Sequence, residues 1–438
     1  MQRQGILGLA FLSPALVFVI LFFLAPVVMT GFFAFTTMST ATGITGGSYR
    51  LTQGVLNDVS DAGSVPEQIV QALRAERFVV DTDGLAAMVD AGRFDNRFID
   101  DIRDDLAGRV YPSQGALEDA MEDLDNRPRR VRDIKIAAAL FERSSLNVSY
   151  ETAAAFRTAM LASVSDIPGP ALDALTDEAF TGWRMTTDNF RRLVGSPDIG
   201  LIFGNTVFYV FTTLTLFNVG FALVLAITTF YLPAGQAGFF RALWLLPRIS
   251  PPVLYVLLWK WLAWDTGFLN AVLEPFGVQP RNWMLDTTAN AWTFVILING
   301  FIGASMGMII FSSAIRAIPQ SILHAAQVDG ANRWQQVRHI ILPQLRWPLL
   351  FITAYQTLSL LTSFQEILLA TNGGPGSTTK VWALAAYNAA LSNYAGNLQY
   401  GYGAAMALVL VVVGILLSVV YLRLFNFDTL VSRPRIER

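Results

Sequence analysis

Four polar side chains recur at helical spacing in the apolar segment 347–370. Gln356, Ser359, Ser363 and Glu366 are separated by three, four and three positions, which places them on one face of a helix. Side chains with amide, hydroxyl and carboxylate groups bind hydroxyl-rich ligands such as sugars through hydrogen bonds. The spacing therefore predicts a ligand-binding face. The alternative is a face that packs against another helix, where small and polar residues are common.

Two neighbouring apolar segments contain similar side chains. Ionisable groups inside a membrane rarely lack a function, so we expect Arg248 and Glu366 to contact the ligand, or Arg248 to pair with a partner subunit. For Asn and Thr positions such as Asn299, helix packing is the simpler explanation. The predicted substrate pathway consists of Arg248, Tyr255, Asn299, Gln356, Ser359, Ser363 and Glu366.

Catalytic and metal-binding motifs are not found in the sequence. His324 and His339 are 15 positions apart and lack partners at metal-ligand spacing. Residues 373–380 resemble a phosphate-binding loop only faintly, because the Gly-Lys-Ser/Thr ending is missing. The basic tail 433–438 is too short for a nucleic-acid surface. We predict no enzymatic activity, no metal, no cofactor in this chain and no nucleic-acid partner.

The composition indicates what holds these side chains. The chain of 438 residues is 53% hydrophobic and 15% charged, against about 25% charged residues in soluble domains, which argues against an ordinary cytosolic enzyme. A bilayer-spanning helix needs about 20 apolar residues. Long charge-free runs cover residues 4–49, 201–240, 287–315 and 381–422. With two further apolar segments they predict an all-α membrane protein with six transmembrane helices, at about 8–36, 202–230, 241–262, 289–313, 347–370 and 401–423. The first is expected to be retained, because it lacks a convincing signal-cleavage site.

A polar, acidic block separates the first two predicted helices. Residues 51–200 carry 26 of the 33 acidic and 16 of the 31 basic residues, a net charge of −10. We predict three regions: helix 1 at residues 1–36, an extracytoplasmic domain at 37–190 and a core with the other five transmembrane helices at 191–438. The middle domain is predicted to be mostly helical, and it serves as a docking surface or as a spacer. Its clearest helical periodicity covers residues 67–79, 94–106, 117–124 and 131–143.

The distribution of basic residues predicts the orientation. With the N-terminus inside, the inner segments carry ten arginines, and the short outer loops carry only Lys260, Arg281 and Lys380. Basic residues concentrate in short cytoplasmic loops. Both termini are therefore predicted to be cytoplasmic, and the acidic block lies outside.

The inner loop 316–345 has an unusual pattern of small residues. Pro319 is expected to open a short helix near its first turn. Ala325 and Ala326 leave the surface of that helix flat, so that another backbone can approach. Gly330 ends the helix, because glycine readily adopts the left-handed conformation found after helix ends.

The second half of this loop predicts another helix. Asp329 can cap it, and the helix runs from Ala331 onward. Trp334 and Ile340 are expected to anchor it, and Pro343 leads into the fifth transmembrane segment. The simplest alternative is an ordinary interfacial hairpin without a partner.

This loop resembles the cytoplasmic "EAA" loop of permease subunits of ATP-binding-cassette importers. The matching residues are Ala325, Ala326, Asp329, Gly330, Ala331, Leu342 and Pro343. His324 stands where the family usually has Glu, so a salt bridge from that position is not expected. The resemblance implies that a segment including His324 and Trp334 contacts an ATPase subunit.

Further segments resemble the carbohydrate-uptake branch of these importers, the maltose-type permeases. They are Phe240–Leu243 with Leu246-Pro247, Pro251 and Trp259, then residues 371–375, and Asp188–Phe190 with Asn205-Thr206. The resemblance covers residues 180–427 and helix 1, and it implies import of an oligosaccharide, an α-glucoside such as maltose or trehalose, by alternating access. It also implies a second permease subunit, two cytoplasmic ATPase subunits that bind ATP and Mg, an extracytoplasmic sugar-binding protein and a bacterial cytoplasmic membrane with its lipids.

Two alternatives remain. A permease for glycerol-phosphate or a polyol would need several converging cations for phosphate, and the predicted helices offer only Arg248. A membrane sensor with an outer ligand-binding domain would need a cytoplasmic output domain, for which no inner stretch is long enough.

Overall fold

The computed structural model describes residues 12–44, 46–75, 77–164, 166–392 and 396–424. The chain divides into two compact units: Ala41–Trp183, and the segments that precede and follow it. The predicted start of helix 1 at residues 8–11 and the tail 425–438, with its basic residues, lie outside the described residues.

Helix α1 (Leu12–Ala34) precedes the unit Ala41–Trp183. This unit is built mainly from short helices and a few very short strands. Its helices are α2 (Gln53–Asp61), α3 (Glu67–Arg74), α4 (Thr82–Asp90), α5 (residues 96–106), α6 (Gln114–Glu122), α7 (Val131–Ala139), α8 (Ala153–Ser163) and α9 (Gly169–Glu178). Its strands are β1 (Tyr49–Arg50), β2 (Arg77–Val79), β3 (Val110–Tyr111), β4 (Glu142–Arg143) and β5 (Ser149–Tyr150).

The strands form two small antiparallel sheets in this unit. Strand β1 pairs with β5, and β2 lies between β3 and β4, with Phe78 opposite both Tyr111 and Glu142. The predicted helices 67–79 and 131–143 are therefore too long, because their last residues pair as β2 and β4. Phe78 is buried in an apolar cluster, so the strand contributes to the core although its sequence continues a helical pattern.

The second unit contains α1 and the helices after residue 184. In chain order these helices are α10 (Asp188–Gly195), α11 (Ile199–Tyr231), α12 (Ala234–Ile249), α13 (Pro252–Ala263), α14 (Phe268–Leu273), α15 (Thr288–Arg316), α16 (Gln320–Val328), α17 (residues 333–344), α18 (Arg346–Thr362), α19 (Gln365–Ala370), α20 (Trp382–Leu391) and α21 (Tyr400–Leu424). A 3-10 turn, Glu274–Phe276, follows α14. Among the described residues α1, α11, α15 and α21 are long and apolar enough to cross a membrane, and a bent pair that begins with α12 would be a fifth span. The prediction of a polytopic helical membrane protein is confirmed, whereas the count of six spans stays a prediction.

Two of the predicted spans are interrupted. The segment 241–262 bends by 101° between α12 and α13. Pro251 and Pro252 follow each other there, and proline cannot donate the backbone hydrogen bond that would continue a helix. The segment 347–370 is broken between α18 and α19. Helix α20, which the sequence analysis did not predict, is a short apolar helix before the last span.

Glycines on α15 allow the second unit to pack closely. Phe217 and Asn218 of α11 lie directly against Gly300 and Gly303, where a Cβ atom would overlap them. Small residues at such contacts let two membrane helices approach each other. In this stretch α11 makes wider, π-type turns over Leu214–Phe221. Helix α15 is consequently the most buried of the long helices and supports the residues described next.

Candidate substrate site and coupling segment

A hydrogen-bonded cluster lies at the break between α18 and α19. The Nδ2 atom of Asn299, on α15, donates to Ser363 Oγ over 3.0 Å and to Glu366 Oε2 over 3.3 Å. The Ser363 hydroxyl donates to the same Glu366 oxygen over 3.0 Å. Tyr209 of α11 reaches Ser363 Oγ with its hydroxyl at 3.4 Å. The cluster thus joins three segments of the second unit around one carboxylate.

The local backbone explains how these side chains converge. Helix α18 ends at Thr362, and Ser363 has extended backbone angles, with φ −74° and ψ 126°. Helix α19 then begins at Gln365, so Glu366 lies in its first turn, where a helix favours negative charge. The predicted single helical face over 356–366 is therefore wrong, because the break redirects the last two of its four members.

Burial and charge make this cluster suitable for binding a neutral polar ligand. Tyr209 is fully buried and Asn299 nearly so, whereas Ser363 and Glu366 are half-buried. Within the described residues, Glu366 has no ion pair, and its Oε1 atom has no hydrogen-bond partner. A half-buried carboxylate oxygen held near neutral donors can accept hydrogen bonds from hydroxyl groups of a ligand.

Aromatic rings lie next to the cluster. Phe364 stacks on Tyr387 with ring centroids 4.7 Å apart, and Tyr209 lies 6.3 Å from Trp292. Tyr209 and Trp292 are buried in an apolar cluster, whereas Phe364 and Tyr387 are half-buried. Of these rings, Phe364 and Tyr387 are therefore the ones that could contact the apolar face of a sugar, while the amide and carboxylate bind its hydroxyls.

The remaining residues of the predicted pathway lie elsewhere. Gln356 is buried and donates to the carbonyl oxygen of Gly303 over 3.0 Å, which links α18 to α15. Ser359 is exposed on α18. Tyr255 packs in a separate apolar cluster, and Arg248 is exposed at the end of α12. Of the seven predicted residues, the structure brings together Asn299, Ser363 and Glu366.

Tyr209 was missed by the sequence analysis. It lies four positions after Asn205, on the same face of α11, in a run without charges. That spacing could have indicated that Tyr209 shares a polar face of the helix with Asn205. Asn205 itself does not join the cluster, because its amide donates to the carbonyl oxygens of Ser377 at 3.3 Å and Lys380 at 3.1 Å.

The predicted inner loop forms two helices joined by a tight turn. Pro319 precedes α16, and Gly330 after it has φ +79°, a conformation that other residues rarely adopt. The predicted cap Asp329 is wrong: this residue ends α16. Asn332 caps α17 instead, since it accepts from the backbone of Gln335 at 2.9 Å while the Gln335 side chain accepts from Asn332 at 2.8 Å.

Buried apolar residues hold this loop against the core. Ile318, Leu323, Val337 and Ile341 join one cluster with residues of α11 and α15. Trp334 is not the predicted anchor, because it is 69% exposed. Tyr231, at the end of α11, adds two contacts. Its hydroxyl lies 3.4 Å from Gln336 Oε1, and its ring centroid lies 5.3 Å from the guanidinium carbon of Arg333.

The opposite surface of the loop is open. Val328 is 88% exposed, and His324 and Ala325 are also exposed. A groove of about 340 Å³ runs between α16 and α17 and is lined by Ala326, Asp329, Gly330, Ala331, Gln335, His339 and Ile340. Leu342 and Pro343 lie in the last turn of α17. The loop thus has one anchored face and one face that can receive a partner.

Comparison with known proteins identifies the relatives of this chain. The profile of the family "binding-protein-dependent transport system inner membrane component" matches residues 199–427. The trehalose/maltose transport system permease protein MalF of Thermococcus litoralis is 29% identical over 191 residues, which is 43% of this chain and 63% of that protein. The lactose transport system permease protein LacF of Rhizobium radiobacter is 30% identical over 230 residues, 50% of this chain and 76% of that protein.

The Escherichia coli K12 maltose/maltodextrin transport system permease protein MalF is 31% identical over 255 residues, 54% of this chain. The chain spans only 47% of the length of that relative and less than two thirds of the Thermococcus protein. Among solved structures, a bacterial alginate ABC transporter in complex with a pentasaccharide-bound periplasmic protein aligns with a TM-score of 0.51 at 22% identity. That alignment covers 56% of this chain and 84% of the other. At this identity the match shows a shared fold.

Proposed function

This chain belongs to the family of binding-protein-dependent transport system inner membrane components, and from that membership we propose that it is a membrane-spanning subunit of an ATP-driven oligosaccharide importer. It contributes a binding site and a pathway, and it carries out no covalent chemistry. The predicted resemblance to carbohydrate permeases agrees with the names of its relatives, which include trehalose, maltose and lactose transport proteins.

The Asn299–Ser363–Glu366 cluster is the observation that carries the proposal. It contains a carboxylate acceptor and amide and hydroxyl donors, with aromatic rings nearby. Polar groups inside a membrane protein are costly unless they serve a pathway or a partner. An α-glucoside such as maltose or trehalose presents hydroxyl groups and apolar ring faces that suit these groups.

The exposed face of α16 and α17 supports the second half of the proposal. We propose that two cytoplasmic ATPase subunits, which bind ATP and Mg, move this loop, and that a second permease subunit completes the pathway. One ATPase would seat in the groove beside Gly330. Buried residues of the loop pack against α11 and α15. A displacement of the loop would therefore be transmitted to these two helices, which carry Tyr209 and Asn299.

The proposed orientation has both termini in the cytoplasm of a bacterium and Ala41–Trp183 outside. On that side the acidic unit would meet a soluble sugar-binding protein. Ten acidic side chains fall within residues 95–125, against three basic ones, so its surface favours a partner with a basic patch.

Uptake by the reconstituted complex tests the site. In proteoliposomes, Ser363→Leu should abolish ATP-dependent uptake of labelled maltose or trehalose, because an apolar side chain then fills the binding cluster. The matched control Ser359→Leu changes the same residue type at an exposed position on α18, one turn before the break, and should leave uptake near the wild-type level. Yield and subunit composition must be measured on the same preparations. Normal uptake by a fully assembled Ser363→Leu complex would refute the site.

A further inference from the structure

A polar cavity lies at the predicted outer end of the core, apart from the Asn299–Ser363–Glu366 cluster. Its volume is about 350 Å³. Helices α10, α11, α20 and α21 and the loop 371–380 contribute to its wall. The charged residues of the wall are Arg192, Asp198 and Lys380, and the side-chain amides belong to Asn372, Asn388 and Gln399.

The two cations of this cavity lack carboxylate partners. Arg192 donates to Gln399 Oε1 over 2.7 Å, and its guanidinium lies 4.7 Å from the ring centroid of Tyr402. Both contacts are with neutral groups. Throughout the described ranges, no ion pair involves Arg192, Lys380 or Asp198. Two cations and one carboxylate leave the cavity with a net charge of +1.

Neighbouring contacts order the guanidinium of Arg192 and the backbone of Lys380 before any ligand arrives. Gln399 accepts a hydrogen bond from the Arg192 guanidinium over 2.7 Å, and the backbone carbonyl of Lys380 accepts from Asn205 of α11 over 3.1 Å. Groups that are already ordered lose little conformational freedom when a ligand binds. A negative group that enters the cavity would therefore meet a guanidinium held by neutral neighbours and an ammonium group on an ordered stretch of backbone.

An adjoining cavity provides room for the rest of a ligand. It measures about 290 Å³ and shares Arg192, Gln399 and Tyr402 with the first cavity. Its wall adds the hydroxyl of Thr186, the amide of Asn189 and the carboxylate of Asp188, whose charge is paired with Arg191 over 2.8 Å. A ligand with its anionic group at the cations can thus extend hydroxyl groups into a second polar space.

We propose that this double cavity binds an oxyanionic saccharide, a sugar acid or a sugar phosphate, with the anionic group between Arg192 and Lys380. The inference rests on the proposed function in one respect, namely that the ligand is a cargo of a saccharide importer. It goes further by adding an anionic saccharide to the neutral α-glucosides proposed above and by giving the chain a docking position outside the central cluster.

Direct binding tests the cavity independently of transport. The assembled complex in lipid nanodiscs, without ATP or binding protein, is titrated by calorimetry with glucuronate, glucose 1-phosphate, glucose and inorganic phosphate. We expect at least one anionic sugar to bind about tenfold or more tightly than glucose, since a charged hydrogen-bond partner is worth about that much. Binding of glucuronate alone identifies a carboxylate ligand, and binding of glucose 1-phosphate alone identifies a phosphate ligand.

Charge variants sharpen the test. Lys380→Met and Arg192→Gln should each weaken anion binding about tenfold, whereas Asp198→Asn should strengthen it because the repelling carboxylate is removed. Lys260→Met, which removes a cation that does not line the cavity, should change nothing.

Several results would overturn the proposal. One is that glucose binds as tightly as both anionic sugars, and another is that inorganic phosphate binds as tightly as glucose 1-phosphate. The third is that neither Lys380→Met nor Arg192→Gln changes the affinity for the anionic sugars. Failure of the proposed importer function looks different, because uptake would then be absent while anion binding to the cavity persists.

Discussion

Asn299 and Glu366 are separated by 67 positions in sequence, yet the amide Nδ2 atom of the first lies 3.3 Å from Oε2 of the second. The Ser363 hydroxyl lies 3.0 Å from the same two atoms and bridges them. The carboxylate is therefore oriented by two donors from separate segments. Its other oxygen has no partner among the described residues and can accept from a ligand.

The first prediction concerns this carboxylate. Glu366→Gln should raise the KM for sugar uptake less than about tenfold, since an amide oxygen still accepts from Asn299, Ser363 or the ligand. Glu366→Leu should abolish uptake, because it removes the acceptor and leaves the Asn299 amide with one partner fewer. Gln365 precedes Glu366 in the sequence and is exposed, so Gln365→Leu serves as the control and should leave the KM unchanged. Equal KM values for Glu366→Leu and the wild type would contradict the assignment.

The second prediction concerns the turn of the coupling segment. Gly330 has φ +79° and open space around a Cβ position. Gly330→Ala should cost about 1 kcal/mol of local strain and retain most of the sugar-stimulated ATPase activity of the complex. Gly330→Arg should abolish that stimulation, since a long charged side chain would obstruct the groove beside α17. Stimulation at the wild-type level in an assembled Gly330→Arg complex would exclude this docking site.

The third prediction concerns pH and the unit Ala41–Trp183. Burial alone would raise the pKa of Asp81, but hydrogen bonds from Arg143 and from the backbone of Gly84, with the charge of Arg143, outweigh it and hold the pKa below its usual range. The ion pair at 2.5 Å is about one-third exposed, so its contribution is about 1 kcal/mol or less.

A depressed carboxylate pKa stabilises the fold above the unfolded-state value of about 3.9, and this stability is lost as pH falls through the native value. If the unit is produced alone and folds by circular dichroism, Asp81→Asn should destabilise it against urea at pH 7. The deficit should shrink below pH 4. The exposed Asp90→Asn on the same helix should show no such trend. A deficit of equal size at pH 7 and pH 3 would argue against the ion pair.

The fourth prediction concerns the role of the same unit. Replacing residues 50–180 with a short flexible linker should weaken uptake and association with the sugar-binding protein more than it weakens complex assembly. The physical reason is that a docking surface contributes to partner affinity, whereas a spacer does not. Surface plasmon resonance with the binding protein gives the first quantity, and copurified subunits give the second. Unchanged uptake would leave the unit as a spacer.

Sequence patterns located the long helices well because a bilayer requires long uncharged runs. The predicted span 289–313 lies within α15, and 202–230 lies within α11. Periodicity could not locate the break at Ser363, because neither glycine nor proline marks it; the side-chain bonds to Asn299 and Glu366 accompany the change of backbone direction. At Pro251 and Pro252 the signal was present in the sequence, and the single predicted helix there overlooked it.

The candidate site was predictable only in part. Asn299, Ser363 and Glu366 were found as polar residues in apolar segments, a signal that does not depend on tertiary structure. Gln356 has the same signal, but its amide binds the backbone of Gly303 instead. Polarity alone cannot distinguish a side chain that joins two helices from one that faces a ligand, since the difference depends on which neighbour each helix meets.

The contacts of Asn205 and Thr206 have a mechanical consequence. The Asn205 amide holds two carbonyls of the loop 371–380, and the Thr206 hydroxyl accepts from the backbone of Trp382 over 2.8 Å. These hydrogen bonds join the first half of α11, the loop 371–380 and α20 into one unit, and Lys380 belongs to it. Further along α11, the stretch Leu214–Phe221 has π-type turns in place of the regular ladder, and both polar atoms of the buried Asn218 lack a hydrogen-bond partner within the part of the chain that the structure describes. If α11 bends during transport, we expect it to bend at this stretch, so that Lys380 moves together with the first half of α11.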